Sequence, residues 1–307
     1  MKTPISSFAL CFAALLGLSW PAPAQTVFEK YSPYHHVQVV DEGDSRMLSF
    51  NGTRETRMSK RNPLQGHFEY IEYFHMPWIW NHDIKRVLMM GLGGGSAQRA
   101  YQHYYTNVSV DTVELDPVVV AVAKEYFGVV ETPQHKIYND DGRVFLRRTA
   151  NKYDLILMDA YTTSRYGSSI PPHLITKEFF TLAKDHLTKN GVLAYNVIGV
   201  VDGWQGEMIA AAYRTMKEVF PQVYMFKAES SYNTVFVVSL SPERFDSGRV
   251  QRDAAALVSS GKVKYPGFRE RLRSFVATPP RTAASAKILT DDRAPVEGLM
   301  RSSGKSE

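Results

Sequence analysis

Two rhythms of apolar and polar residues divide the chain. From Thr26 to about Asn81, "YHHVQVVDEG" and "RMLSFNGTRETRM" alternate at period two, with Glu42-Gly43-Asp44 and Asn51-Gly52 as turn signals. That spacing predicts a small antiparallel β unit. "HFEYIEYFHMPWIW" follows with apolar and aromatic residues at mixed helical spacing, and predicts a helix packed on what comes next. From Arg86 buried runs alternate with amphipathic stretches. "RVLMMG", "SVDTVEL", "HKIYNDD", "YDLILMDAY" and "GVLAYNVIG" read as strands, and "QVYMFKA" with "NTVFVVSL" closes the sheet. Between them "SAQRAYQHYY", "PVVVAVAKEYF", Gly142 to Arg148, "TKEFFTLAKDHL" and "WQGEMIAAAYRTMKEVF" read as helices. Repeated β-α alternation implies an α/β fold, with a mostly parallel sheet covered on both faces.

The start of the chain is different material. Lys2, the apolar run Phe8 to Leu18 and "PAPAQ", with Ala22 and Ala24 before Gln25, form the pattern of a secretory signal peptide. The run is too short to span a bilayer, and no later segment is long and apolar enough. The expected division is a signal peptide over 1–24, an N-terminal β-hairpin domain over 25–80, an α/β domain over 81–300 and a loose tail over 301–307. The expected product is soluble, exported and periplasmic. Cys11 is the only cysteine and lies in the leader, so the mature chain has no disulfide or thiolate metal site. His35-His36 lacks a third ligand at suitable spacing, and no metal is expected. The net charge of +5 is spread along the chain rather than gathered with aromatics on one element, which speaks against nucleic-acid binding.

The chemistry gathers at the ends of the strands. The loop Gly91 to Ser96, "GLGGGS", leaves the first strand of the α/β unit and opens a helix. Glycines permit a tight turn and close backbone approach, and the helix start offers free N–H groups. Gly91, Gly93 and Gly95 are the candidate backbone contacts. Glu114 ends the second strand, 19 residues beyond Gly95, where nucleotide-binding units place an acid on the ribose hydroxyls. Asp141, followed by Gly142, ends the third and can receive an adenine amino group. Asp159 ends the fourth. No phosphate-binding Lys-Ser/Thr follows the glycines, which favours a nucleoside sulfonium over ATP and leaves a dinucleotide open.

These residues resemble the polyamine aminopropyltransferases, the spermidine synthase family, over nearly the whole mature length. "SPYHHVQV", "FNGTRET", "VLMMGLGGGSAQR", "VELDP", "DDGRVFL", "YDLILMDAY", "EFF" and "LTKNGVLAYN" fall in that family's order. "IPPHLITKEFF" and "ILTDDRAPVE" look like its divergent branch. The resemblance implies a β-hairpin domain before a Rossmann-like methyltransferase-type domain. It implies transfer of an alkylamine group from S-adenosylmethionine or its decarboxylated form to an amine such as putrescine, releasing methylthioadenosine. The sulfonium is a co-substrate, no cofactor is tightly bound, and a homodimer is possible. By resemblance Glu114 binds ribose, Asp141 and Gly142 the adenine, and Asp159 is the catalytic aspartate, with Tyr161 beside it.

Three positions depart from the family. Gly94 stands where the family's turn carries an aspartate, Thr162 where its catalytic stretch has a second acid, and His35 where it has a glutamine. Each lost charge-assisted contact is worth roughly 1.5–3 kcal/mol. Asp291, Asp292 and Glu297 are the candidate substitutes, with Arg293 holding a carboxylate, and His173 is a candidate base or clamp. Gly94 also suggests room for the carboxylate of intact S-adenosylmethionine. Two further readings therefore stand beside aminopropyl transfer: methyl transfer or sulfonium breakdown, and a non-catalytic exported protein that binds polyamines or nucleosides.

Overall fold

A computed structural model describes residues 24–164 and 167–301. The expected leader lies outside the described residues apart from Ala24, as does the expected tail beyond Arg301. Strands β1 (Gln25–Tyr31), β2 (His36–Glu42), β3 (Ser45–Phe50) and β4 (Thr53–Ser59) form an antiparallel sheet in chain order. Side chains alternate across a strand, so the apolar set falls on one face. Val37, Val39, Leu48, Phe50 and Met58 pack there on Val119, Val122 and Phe127 of the helix Pro117–Phe127. Each fully buried side chain of this kind contributes roughly 1.5–3 kcal/mol. The small sheet is thereby fixed against the flank of the large one.

The segment after it is helical but wound more tightly than expected. Glu69–Ile79 is a 3₁₀ helix: Ile71 N donates to Phe68 O and Trp80 N to Pro77 O, both three residues back. Pro77 has no N–H to give, and its ring obstructs the preceding α-turn. The helix persists because Tyr73, Phe74, Met76 and Ile79 are buried against the large sheet.

That sheet has eight strands: β5 (Arg86–Met90), β6 (Ser109–Glu114), β7 (His135–Asn139), β8 (Tyr153–Met158) and, beyond a small hairpin of β9 (Thr162–Ser164) and β10 (Gly167–Ser169), β11 (Leu187–Ile198), β12 (Gln222–Ala228), β13 (Asn233–Ser239) and β14 (Phe275–Val276). Helices α1 (Ser96–Tyr104), α2 (Pro117–Phe127), α3 (Gly142–Arg148), α4 (Lys177–Asp185), α5 (Gly206–Lys217) and α6 (Ser247–Ser259) accompany it. The order is β14-β12-β13-β11-β8-β5-β6-β7. Strands β5 to β8 and β11 run parallel, and the last three close the edge antiparallel. The chain leaves β5 toward β6 and returns on the other side with β8. Strand order therefore reverses between β5 and β8, and a crevice opens at their carboxyl ends. Among the described residues no helix is long and apolar enough to cross a membrane.

Candidate active site

Local sequence sets each strand end. Gly91 turns out of β5 at φ +96°, and a Cβ there would lie 2.2 Å from the carbonyl oxygen of Asp159. Asp159 N in turn donates to Met90 O at 2.9 Å. Glycine is what allows the two strand ends to touch. Gly91→Ala adds overpacking of about 1–3 kcal/mol to backbone strain, and a clear drop in Tm by thermal unfolding is the expected result. Gly95 caps α1 without a side-chain partner, which leaves that helix's first-turn N–H groups at the crevice.

Glu114 ends β6 with its carboxylate tied to the turn. Its Oε2 accepts from Leu92 N and its Oε1 from Asp116 N, both at 2.9 Å. Burial pushes its pKa up, against those two bonds. Each oxygen keeps acceptor capacity for a hydroxyl pair. Asp141 caps α3, accepting from Val144 N at 2.9 Å, and its other oxygen meets His173 Nε2 at 3.3 Å. The hydrogen bond from His173 holds the Asp141 carboxyl below its ordinary range.

Asp159 differs from both. Tyr70 Oη donates to its Oδ2 at 3.1 Å and Asn196 Nδ2 to its Oδ1 at 2.9 Å. Burial nonetheless raises its pKa to about 7, and the nearby Glu55 carboxyl pushes the same way. Glu55, on β4, is also raised by burial. The Tyr161 hydroxyl is committed to backbone, donating to Asn196 O at 2.8 Å and accepting from Ile198 N at 3.1 Å. Its ring, rather than its oxygen, faces the crevice.

Two cavities meet here. The smaller, about 340 Å³, runs along the strand ends past Gly91, Gly93, Glu114, Asp141, Asp159 and His173. The larger, about 750 Å³, is lined by Asn196, Trp204, Gln205, Ser231, Tyr232 and their neighbours. Glu55, Phe68, Tyr70 and Tyr161 face both. Asp159 sits at the junction, in the smaller cavity, yet bound by a tyrosine of both and an asparagine of the larger.

The structure brings together Gly91, Gly93, Glu114, Asp141, Gly142, Asp159, Tyr161, His35 and His173 around the smaller cavity. His35 stacks on Phe50, lies 3.4 Å by Nδ1 from Asp116, and leaves Nε2 buried without a partner. Asp291 and Asp292 line neither cavity. Arg143 NH1 and NH2 grip the two oxygens of Asp291 at 2.8 and 2.6 Å, and Thr176 donates to it at 2.7 Å. This carboxylate, expected in the pocket, instead fastens the C-terminal segment to α3 and α4, and its partner is Arg143 rather than Arg293. Of that group Glu297 alone reaches the larger cavity. The room expected at Gly94 is also missing. Gly94 is buried against Thr56 and Phe127 and lines neither cavity. Sequence reading passed over Glu55, Tyr70 and Asn196.

The arrangement is a Rossmann-like crevice with acids at three strand ends and a second chamber opening beside the last of them. A model of the spermine/spermidine synthase domain matches residues 67–240. The polyamine aminopropyltransferase of Vibrio vulnificus is 30% identical over 267 residues, covering 83% of this chain and 86% of that protein. A probable polyamine aminopropyl transferase of Bifidobacterium longum is 27% identical over 302 residues, 94% of this chain and 65% of that one. Among solved structures, a probable spermidine synthase from Corynebacterium glutamicum has a TM-score of 0.66 at 20% identity, over 89% of this chain and 98% of that one. A spermidine synthase in complex with the transition state analogue AdoDATO has a TM-score of 0.64 at 20% identity, over 82% and 84%. The chain belongs to the spermine/spermidine synthase family.

Proposed function

We propose that this chain is an aminopropyltransferase. It takes the alkylamine group of decarboxylated S-adenosylmethionine, passes it to a small amine such as putrescine, and releases methylthioadenosine. The observation that carries the reading is the placement of Asp159 between a nucleoside-sized crevice and a second, larger chamber. Two of the named relatives are aminopropyl transferases by name, one of them as a probable one, and both matches span most of this chain.

The donor nucleoside belongs in the smaller cavity. Gly91 and Gly93 follow its backbone side, while Gly95 faces Val129 and lines neither cavity; Glu114 takes the ribose hydroxyls, Asp141 and Gly142 take the adenine edge, and His35 and His173 flank it. His173 acts as a clamp on Asp141. The acceptor enters from the larger cavity. Its nitrogen lone pair attacks the methylene carbon attached to the sulfonium sulfur, a C–N bond forms, and the C–S bond electrons return to sulfur as a neutral thioether. The positive charge moves to nitrogen, and the proton it sheds goes to Asp159. Tyr70 and Asn196 aim that carboxylate, and the Tyr161 ring walls the reacting carbon.

On this reading residues 25–80 supply the lid-like wall of the site and 81–300 its catalytic frame, with the first 24 residues an export leader to the periplasm and a homodimer as the family resemblance implies. The test is to incubate the mature chain with decarboxylated S-adenosylmethionine and putrescine and weigh the products. Spermidine with methylthioadenosine is the expected pair. Intact S-adenosylmethionine giving adenosylhomocysteine, with no spermidine from the decarboxylated donor, would replace this reading with methyl transfer.

A further inference from the structure

The family resemblance places a second acid at position 162, and this chain has Thr162. A carboxylate stands at the same junction from the opposite wall. Glu55 projects from β4 and faces both cavities. Two hydroxyls of the β9–β10 hairpin, the element that also bears Thr162, fix its Oε1. Ser168 Oγ donates at 2.5 Å and Thr163 Oγ1 at 3.2 Å. Both bonds end on one oxygen, so Oε2 has no protein partner among the described residues. Arg54 and Glu297, the other charged residues around the larger cavity, are exposed, whereas Glu55 is withdrawn from solvent.

A second observation is independent of the first. Three residues of the larger cavity carry a buried polar atom with no partner: Asn196 Oδ1, Gln205 Oε1 and Ser231 Oγ. Asn196 is 1% exposed, and its amide is oriented by the bond from Nδ2 to Asp159. That leaves its oxygen free to accept. A buried acceptor without a partner costs about 1–3 kcal/mol, and a ligand rich in N–H donors relieves that cost. Carboxylate and orphan acceptors together describe a cation-binding chamber with apolar walls.

We infer that Glu55 is the second carboxylate of the acceptor site, holding the incoming amine across from Asp159 by its N–H groups, which it shares with Asn196 Oδ1. The acid at position 162 is thereby replaced from the N-terminal sheet. The identity of the amine rests on the aminopropyl-transfer reading, but the contact itself is tested by binding, without turnover.

Putrescine is titrated calorimetrically into the full mature chain saturated with methylthioadenosine, for wild type, Glu55→Gln and Glu55→Asp. Gln keeps an oxygen for Ser168 and Thr163, so the hairpin stays anchored, and methylthioadenosine affinity reports whether the site is intact. Loss of the charge-assisted contact is expected to weaken putrescine binding about 10–100-fold in Glu55→Gln, with Glu55→Asp between it and wild type. Methylthioadenosine affinity should stay within about threefold, since no nucleoside contact is removed. Putrescine binding that is equal in wild type and Glu55→Gln, or absent from wild type, overturns the inference. Glu55-dependent binding without spermidine formation would leave this contact standing and refute aminopropyl transfer instead.

Discussion

Asp159→Asn is expected to lower kcat by about 10²–10⁴-fold, the usual worth of a positioned proton acceptor, while methylthioadenosine still binds. The magnitude follows from what the carboxylate is asked to do. The attacking nitrogen gains positive charge as the C–N bond forms, and Asp159 is the acid bound from both cavities, through Tyr70 and Asn196. Asn at this position keeps the shape and one acceptor but takes no proton. Burial places the pKa of Asp159 at about 7, which makes it a stronger proton acceptor than an ordinary aspartate. It also dictates a pH profile. Below that value the free enzyme holds Asp159 neutral, so kcat/KM referred to the neutral form of the amine should fall about tenfold per pH unit toward acid and level off above it. Tyr70 and Tyr161, both pushed well above 10, stay neutral throughout.

The same burial has a cost in stability above about pH 4. The unfolded chain releases the Asp159 proton near its ordinary value of 3.8, whereas the folded chain holds it to about 7. The unfolded state therefore binds fewer protons between those values. Stability present at pH 4 is lost as pH rises to 7, by a few kcal/mol at about 1.4 kcal/mol per pKa unit. Asp159→Asn, which has no charge to bury, should have a higher Tm than wild type at pH 8 and no such advantage at pH 4. Equal kcat in wild type and variant, with a Tm difference that does not change with pH, would remove Asp159 from the chemistry.

How much of this was readable beforehand depends on whether a residue's role is local. Buried parallel strands write themselves as unbroken apolar runs, and an acid that ends such a run sits at the crevice by topology alone. Asp159 was legible for that reason, and Glu114 and Asp141 by their place at the strand ends of the same β-α alternation. Glu55 was not, because "TRETRM" alternates as a half-exposed strand does, and its polar positions read as solvent face. The register of β4 against β3 shifts at this residue, with Leu48 opposite Thr56 and Ser49 opposite Arg54, so the alternation read from the sequence breaks at Glu55. Asn196 lies within an apolar strand, and nothing local says that its amide meets Asp159 37 positions away. Tyr70 was lost among the aromatics of a segment that reads as core. Asp291 misled in the opposite sense. Its acidity suggested the pocket, but Arg143, from a helix nearly 150 residues earlier, claims it. Long-range pairing of charges is the part of the fold that spacing does not carry.

Gly94→Asp separates charge from packing at the other missing acid. Read by charge alone, the substitution returns the carboxylate that the resemblance places in the glycine turn, and donor binding should tighten. Packing predicts the reverse. A Cβ at Gly94 would lie 2.6 Å from Thr56 Cγ2 and 2.9 Å from Phe127 Cδ1. Phe127 is 1% exposed in the contact that seats the small sheet on α2, and Thr56 is buried with its Oγ1 accepting from Gly94 N at 2.9 Å. Neither neighbour is the free end of a flexible chain. Overpacking costs about 1–3 kcal/mol, and a carboxylate beside a buried aromatic ring adds desolvation. A fall in Tm of about 5–10 °C is expected at about 2–4 °C per kcal/mol, with no gain in donor binding and weaker amine binding because the displaced β4 carries Glu55 with it. Thr56→Ala removes the nearer obstacle, so Thr56→Ala/Gly94→Asp should be more stable than Gly94→Asp alone, a coupling expected only of residues in contact. An unchanged Tm with tighter donor binding in the single variant would mean that the turn opens readily. In that case the acid's absence at position 94 would owe nothing to Thr56 and Phe127. If the fall is seen, the small sheet has filled the place of one lost acid with Thr56 while offering Glu55, one residue earlier on the same strand, at the junction where the other is missing.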